Sequence, residues 1–157
     1  MKFEFSIDIP APRELVWKIA LDPNLRPEWD VRIAKFHVRR EPGAGAPITI
    51  VFRSFIFRPR AEAVFLRFDP PNQSIIRIGP ATPNIVPSGG GTWIFEETET
   101  VIRMTTRFNL NTAGVKAPAW LIRALVRSLR RLKRLVLQHQ RKSNLAAAAE
   151  SNATHTK

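Results

Sequence analysis

A chain of 157 residues, 44% hydrophobic and 24% charged, has the length and composition of one soluble domain with a core of its own. The absence of cysteine excludes disulfides, thiolate nucleophiles and cysteine metal ligands together. No window approaches the roughly 18 apolar residues of a membrane span, and the net charge is +12.

That charge is placed unevenly. Residues 1–99 hold 13 lysines and arginines against 12 acids, while residues 100–157 hold 12 against the single acid Glu150. The asymmetry raises a nucleic acid or an anionic membrane surface as partners. The three histidines, His37, His139 and His155, are isolated in sequence, so no metal-ligand spacing is present and no metal is expected. There is no tyrosine to act as a phenolic proton donor. The opening MKFEFSIDIP carries Glu4 and Asp8 and no apolar h-region, unlike a secretory signal. With the missing cysteine, this predicts a cytoplasmic protein.

Taken in order, Lys2 to Ile9 alternates, with Phe3, Phe5, Ile7 and Ile9 on one side, and predicts a half-buried strand. Pro10 ends it, and Pro12 suits the first turn of a short helix with Glu14 near its positive end. Leu15, Val16, Ile19 and Ala20 form that helix's buried stripe. Asp22-Pro23 breaks it, and a second short helix or turn covers residues 24–29. Strands are predicted over residues 31–40, 48–57, 60–68, 74–78, 92–97 and 101–110. The second of these is rich in phenylalanine, with Phe52, Phe55 and Phe57. Residues 79–91 read as a long loop. The glycines 89–91 lack the lysine of a P-loop and the following helix of a dinucleotide fold, so no cofactor is predicted.

A long helix is predicted over residues 118–142. On a helical wheel Leu121, Ile122, Leu125, Leu129, Leu132 and Val136 fall on one side, and Arg123, Arg127, Arg130, Arg131, Arg134 and Arg141 on the other. Residues 143–157 lack a core-forming pattern and read as a frayed or disordered tail. Helices at the two ends with strands between them signal an α+β fold with an antiparallel sheet.

Several local phrases, in this order, resemble the START/Bet v 1-like (SRPBCC) superfamily of helix-grip proteins, and within it the polyketide cyclase/dehydrase and lipid transport branch. They are Val16-Trp17, Asp22-Pro23, Pro27-Glu28-Trp29-Asp30, the turn FDPPNQ at residues 68–73, and GGGTWIFEETETVIRMTTRF at residues 89–108. The resemblance spans roughly residues 3–140. It departs at Ala11, where the family often has a capping Ser or Thr. The resemblance implies a curved seven-stranded antiparallel sheet gripping the C-terminal helix, with two short helices after the first strand. Residues 1–142 would then be the helix-grip domain, with a cavity for a lipid, polyketide or similar apolar molecule.

For that cavity the candidates are Ile102, Met104, Thr106 and Phe108 on the last strand, opposite Leu121, Leu125 and Leu129. Phe52 and Phe95 could add aromatic wall. Each of these residues could equally be plain core, and Trp17 and Trp29 are expected to pack the short helices on the sheet. An enzyme of cyclase or dehydratase type needs a buried proton donor or acceptor. Glu62 and Glu96 are candidates because apolar neighbours flank them; His37 and Arg53 are others. Their alternative is the solvent face. The arginine face, with Arg123, Arg127, Arg130 and Arg134, could meet anionic lipid. It lacks the interleaved aromatics of a single-strand binder, which argues against nucleic acid. A monomer and a homodimer both remain open.

Overall fold

In the computed structural model, which describes residues 1–53, 56, 58–83, 87–111 and 119–154, the opening alternation becomes β1 (Lys2–Ile9). Two short helices follow, α1 (Arg13–Leu21) and α2 (Arg26–Trp29). Pro12 stands at the N-cap of α1, where its missing N–H costs nothing, and Pro27 occupies the first turn of α2. Val16, Trp17, Ile19, Ala20 and Leu21 are the buried side of α1.

Six further strands complete the sheet: β2 (Ile33–Val38), β3 (Pro47–Phe52), β4 (Arg60–Asp69), β5 (Gln73–Ile78), β6 (Gly89–Glu97) and β7 (Ile102–Leu110). All pairings are antiparallel. The order β1-β7-β6-β5-β4-β3-β2 places the first two strands of the chain at opposite edges. The helix α3 (Ala119–Thr154) closes the curled sheet. This is the α+β helix-grip architecture that the element order and the local phrases predict.

Three departures from the sequence reading concern whole segments. First, β3 ends at Phe52; Phe55 and Phe57 of the predicted longer strand lie outside the described residues, as do Pro118 and His155. Second, residues 89–91 are strand rather than loop. A Cβ on Gly91 would lie 2.8 Å from Cη2 of Trp93 and 3.2 Å from Cε1 of Phe108. Glycine there lets the Trp93 ring lie back along its own strand, so the absence of side chains serves packing rather than a turn. Third, α3 continues through residues 143–154, where a frayed or disordered tail is predicted. The alanines and leucine of LAAAA favour helix on propensity alone, even though every side chain described from Arg141 onward is exposed.

The core lies between the inner sheet face and the helices. On α3 the buried positions are Leu125, Ser128, Leu129, Leu132 and Val136, one stripe at helical spacing. Ile122 of the predicted stripe is exposed instead. Trp17 and Trp29 are buried and join the short helices to the core, as expected.

Candidate functional site

Cross-strand register arranges the inner face of the sheet in rows. One row runs Phe5, Thr106, Trp93, Ser74 and Phe68. The next runs Phe3, Phe108, Gly91, Ile76 and Phe65. A third brings Ile7, Met104 and Phe95 together. Edge-to-face contacts tie the rings to one another: Trp17 to Phe95 and Phe68 (centroids 5.2 and 5.3 Å), Phe65 to Phe68 (5.0 Å) and Trp93 to Phe108 (5.9 Å). Such pairs add to the burial of the rings.

Of the predicted wall residues, Phe95, Met104, Thr106, Phe108, Leu125 and Leu129 are buried, and Phe52 and Leu121 are half-buried. Several half-buried apolar residues share one end of the sheet. β3 ends at Phe52, β5 at Ile78 and β7 at Leu110, while β4 and β6 begin beside them. Antiparallel topology therefore collects Phe52, Ile78 and Leu110 at that end, and all three are partly accessible, as is Leu121 in the first turn of α3.

The sequence reading misses a polar belt across this interior. Asp30, fully buried, accepts two hydrogen bonds from the Arg32 side chain, Nε to Oδ1 at 2.9 Å and Nη2 to Oδ2 at 2.7 Å. The Arg32 backbone N–H adds a third at 3.2 Å. Arg26, one helical turn before Asp30, reaches Oδ2 at 3.4 Å. From α3, Ser128 Oγ accepts the Val31 N–H (3.1 Å) and lies 3.4 Å from Asp30 Oδ1. Burial alone pushes the Asp30 carboxyl up, but the charge and hydrogen bonds of Arg32, with the charge of Arg26, outweigh it and bring it down to about 2. The belt thus joins α2, the start of β2 and the middle of α3. Aromatic rings enclose it: the Arg26 guanidinium carbon lies 4.3 Å from the Trp29 ring centre and 4.6 Å from that of Trp93, and that of Arg32 lies 4.8 Å from Phe108.

The proposed acids are elsewhere. Glu62 is 52% exposed on the outer face, paired with Arg39 and Arg60. Glu96 is exposed and sits opposite Arg103 across β6 and β7. His37 is exposed too. Arg53 donates to the carbonyls of Ile33 (2.8 Å) and Pro27 (2.9 Å) and so ties β3 to the α2 region. The apolar neighbours of Glu62 do not bury it: Val64 and Leu66 share its outer side, and a register shift between Phe65 and Arg67 returns Phe68 to the inner side. Exposed ion pairs contribute about 0–1 kcal/mol. The double variant Glu62→Gln, Glu96→Gln is therefore expected to melt within a few degrees of the parent and to take up apolar probes unchanged; calorimetry and a fluorescence titration check both.

A depression of about 580 Å³ lies over the β6 glycines, with Lys2, Glu4, Leu66, Arg77 and Arg107 among its walls. Phe3, Ile76 and Phe108 of an inner row line it too, so it reaches the ring on which Arg32 stacks. The arginines 123, 127, 130, 131, 134 and 141 of α3 are all exposed and form no ion pair among the described residues. Among the described residues no cluster of three His, Asp or Glu could hold a metal, and no helix is long and apolar enough to cross a membrane.

A curled antiparallel sheet gripping a long C-terminal helix, with an aromatic inner face, defines a START/Bet v 1-like protein. Residues 1–137 match the family described as polyketide cyclase / dehydrase and lipid transport, and the chain belongs to it. Solved structures agree on the fold. Ara h 8.0201 superposes with a TM-score of 0.69 at 13% identity, covering 88% of this chain and 98% of that one. Protein NE0264 from Nitrosomonas europaea gives 0.69 at 18% identity, covering 89% and 96%. The di-domain ARO/CYC StfQ from the steffimycin biosynthetic pathway gives 0.69 at 16% identity, covering 88% of this chain and 46% of that one. No curated protein sequence matches.

Proposed function

We propose that the protein binds a hydrophobic small molecule, a lipid, polyketide or similar compound, between the inner sheet face and α3. The observation that carries this reading is the aromatic inner surface of the sheet, faced by α3 and partly accessible at Phe3, Phe5, Phe52, Phe68 and Ile78. Pockets for such molecules are mostly apolar with few polar groups. Native mass spectrometry before and after organic extraction, followed by titration with a fluorescent fatty acid and a fluorescent polycyclic ketone, tests it. A retained ligand or saturable uptake is expected; neither one nor the other would sink the reading.

A carrier or binding module fits better than a cyclase working through a buried carboxylate. Glu62 and Glu96 face solvent, and the buried acid Asp30 is held ionised by two arginines, which makes it a poor proton donor near neutral pH. A second reading, peripheral attachment to anionic membrane, is favoured by the six exposed arginines of α3. Co-sedimentation with phosphatidylglycerol vesicles is expected to fall as salt rises and to be lost in Arg123→Gln, Arg127→Gln, Arg130→Gln, Arg134→Gln. Binding indifferent to salt would remove it.

A further inference from the structure

Arg26 is a buried guanidinium with too few partners. It is 3% exposed, and among the described residues its five N–H donors find only Ala20 O and Asp30 Oδ2, each at 3.4 Å. Its Nε has no acceptor. Asp30 cannot offset it fully, because both carboxylate oxygens already take shorter bonds from Arg32. Two guanidinium groups therefore share one buried carboxylate. Burial brings Arg26 down to about 10, with Asp30 opposing the fall and Arg32 adding to it, so the group is still a cation at neutral pH. A buried cation in excess is costly until something negative joins it.

Three more polar atoms in the same neighbourhood lack partners among the described residues: Trp29 Nε1, Ser74 Oγ and Thr106 Oγ1. These residues are between 0% and 2% exposed. Trp93, one of the rings on which the guanidinium stacks, pairs across strands with Ser74 on one side and Thr106 on the other. The Arg26 Nε–H and the indole N–H are donors only, and the hydroxyls can donate as well. Hydrogen-bond donors gathered around an uncompensated positive charge make a site for an anionic acceptor. Water would satisfy the donors but leave the charge.

We propose that the gripped interior is built for an amphipathic organic acid: an apolar body against the aromatic rows, and an ionised carboxylate at Arg26, Trp29 and Thr106. This rests on the binding reading above and adds the head group to it. Arg32 marks the approach. It is 18% exposed and stacks on Phe108, two residues from Leu110 at the accessible end.

The test compares dodecanoate, dodecan-1-ol and methyl dodecanoate on the full chain after removal of any carried lipid. Dodecanoate is expected to bind about 10- to 100-fold more tightly than the alcohol, as charge-assisted hydrogen bonds allow. Arg26→Met should abolish that preference while leaving the alcohol's affinity in place, and Thr106→Val should weaken the acid selectively. With [1-13C]dodecanoate, the bound carboxyl should remain ionised at pH values where the free acid is protonated. This titration needs no variant, so it decides the matter even where Arg26→Met does not fold. Equal affinity for acid and alcohol, or a bound carboxyl that titrates as in water, overturns the proposal and leaves apolar binding standing. Failure of all three probes to bind overturns both.

Discussion

Asp30→Ala is expected to be among the most destabilising single substitutions in this chain, costing about 3–5 kcal/mol. The side chain is small, and little apolar area is lost with it. The cost arises because Arg26 and Arg32 would keep their charges in the interior with no counter-ion, and the bridge from α2 to Ser128 of α3 would open. Urea denaturation followed by circular dichroism measures it; a loss below about 1 kcal/mol would mean that water reaches the guanidinium groups and the belt is not buried in solution. The same carboxylate sets a pH dependence. Its folded value of about 2 lies below the ordinary 3.8, so the folded state favours the ionised form. That stabilisation is complete above the ordinary carboxylate range and is lost as pH falls from about 4 towards 2. It amounts to roughly 2–3 kcal/mol at 1.36 kcal/mol per unit. Asp30→Asn should show a flatter acid-unfolding slope over that window, and an unchanged slope would assign the acid sensitivity to other carboxylates.

The strands were legible where one face is buried and the other wet. β1 and β7 alternate residue by residue, and their pairing places Phe3, Phe5 and Ile7 beside Phe108, Thr106 and Met104. That periodicity, with the element order, carries most of the fold. The irregularities were not legible. No local signal marks the register shift between Phe65 and Arg67 that separates Leu66 from Phe68, and three successive glycines look like a loop until Trp93 is seen folded over Gly91.

Of the interior, only the apolar part was legible. The burial of Leu125, Leu129, Met104 and Phe108 follows from helical and strand periods. That of Asp30 does not, because the groups that make its burial tolerable are distributed along the chain. Arg26 and Arg32 are near, but Ser128 is 98 residues away, and only tertiary packing brings it close. In sequence Arg26 belongs only to a short helix or turn and Arg32 to the strand that follows it, with nothing to mark them or Asp30 as partners. In the fold they carry the charge of the interior. The acids that did stand out, Glu62 and Glu96, stood out for their apolar neighbours along the strand, which is weak guidance when alternate residues face opposite ways.

Leu129→Ala and Leu125→Ala are each expected to cost about 2–5 kcal/mol, whereas Leu121→Ala should cost less than about 1.5 kcal/mol. All three residues pack towards the core, and burial separates them: Leu125 and Leu129 are enclosed, Leu121 is half-buried in the first turn of α3. Removing an enclosed leucine leaves a cavity that the aromatic rows, already in mutual contact, cannot collapse to fill. Removing Leu121 exposes surface that water already partly reaches, so the fold loses little. Under the proposed binding reading, with Leu121 as a wall residue that a ligand passes, ligand affinity should follow the opposite order. Chemical denaturation and probe titration on the same three variants read both quantities. If Leu121→Ala left uptake unchanged while Leu125→Ala or Leu129→Ala abolished it in a protein still folded, the ligand would have to enter from the α1 end, and the accessible end would have no part in binding.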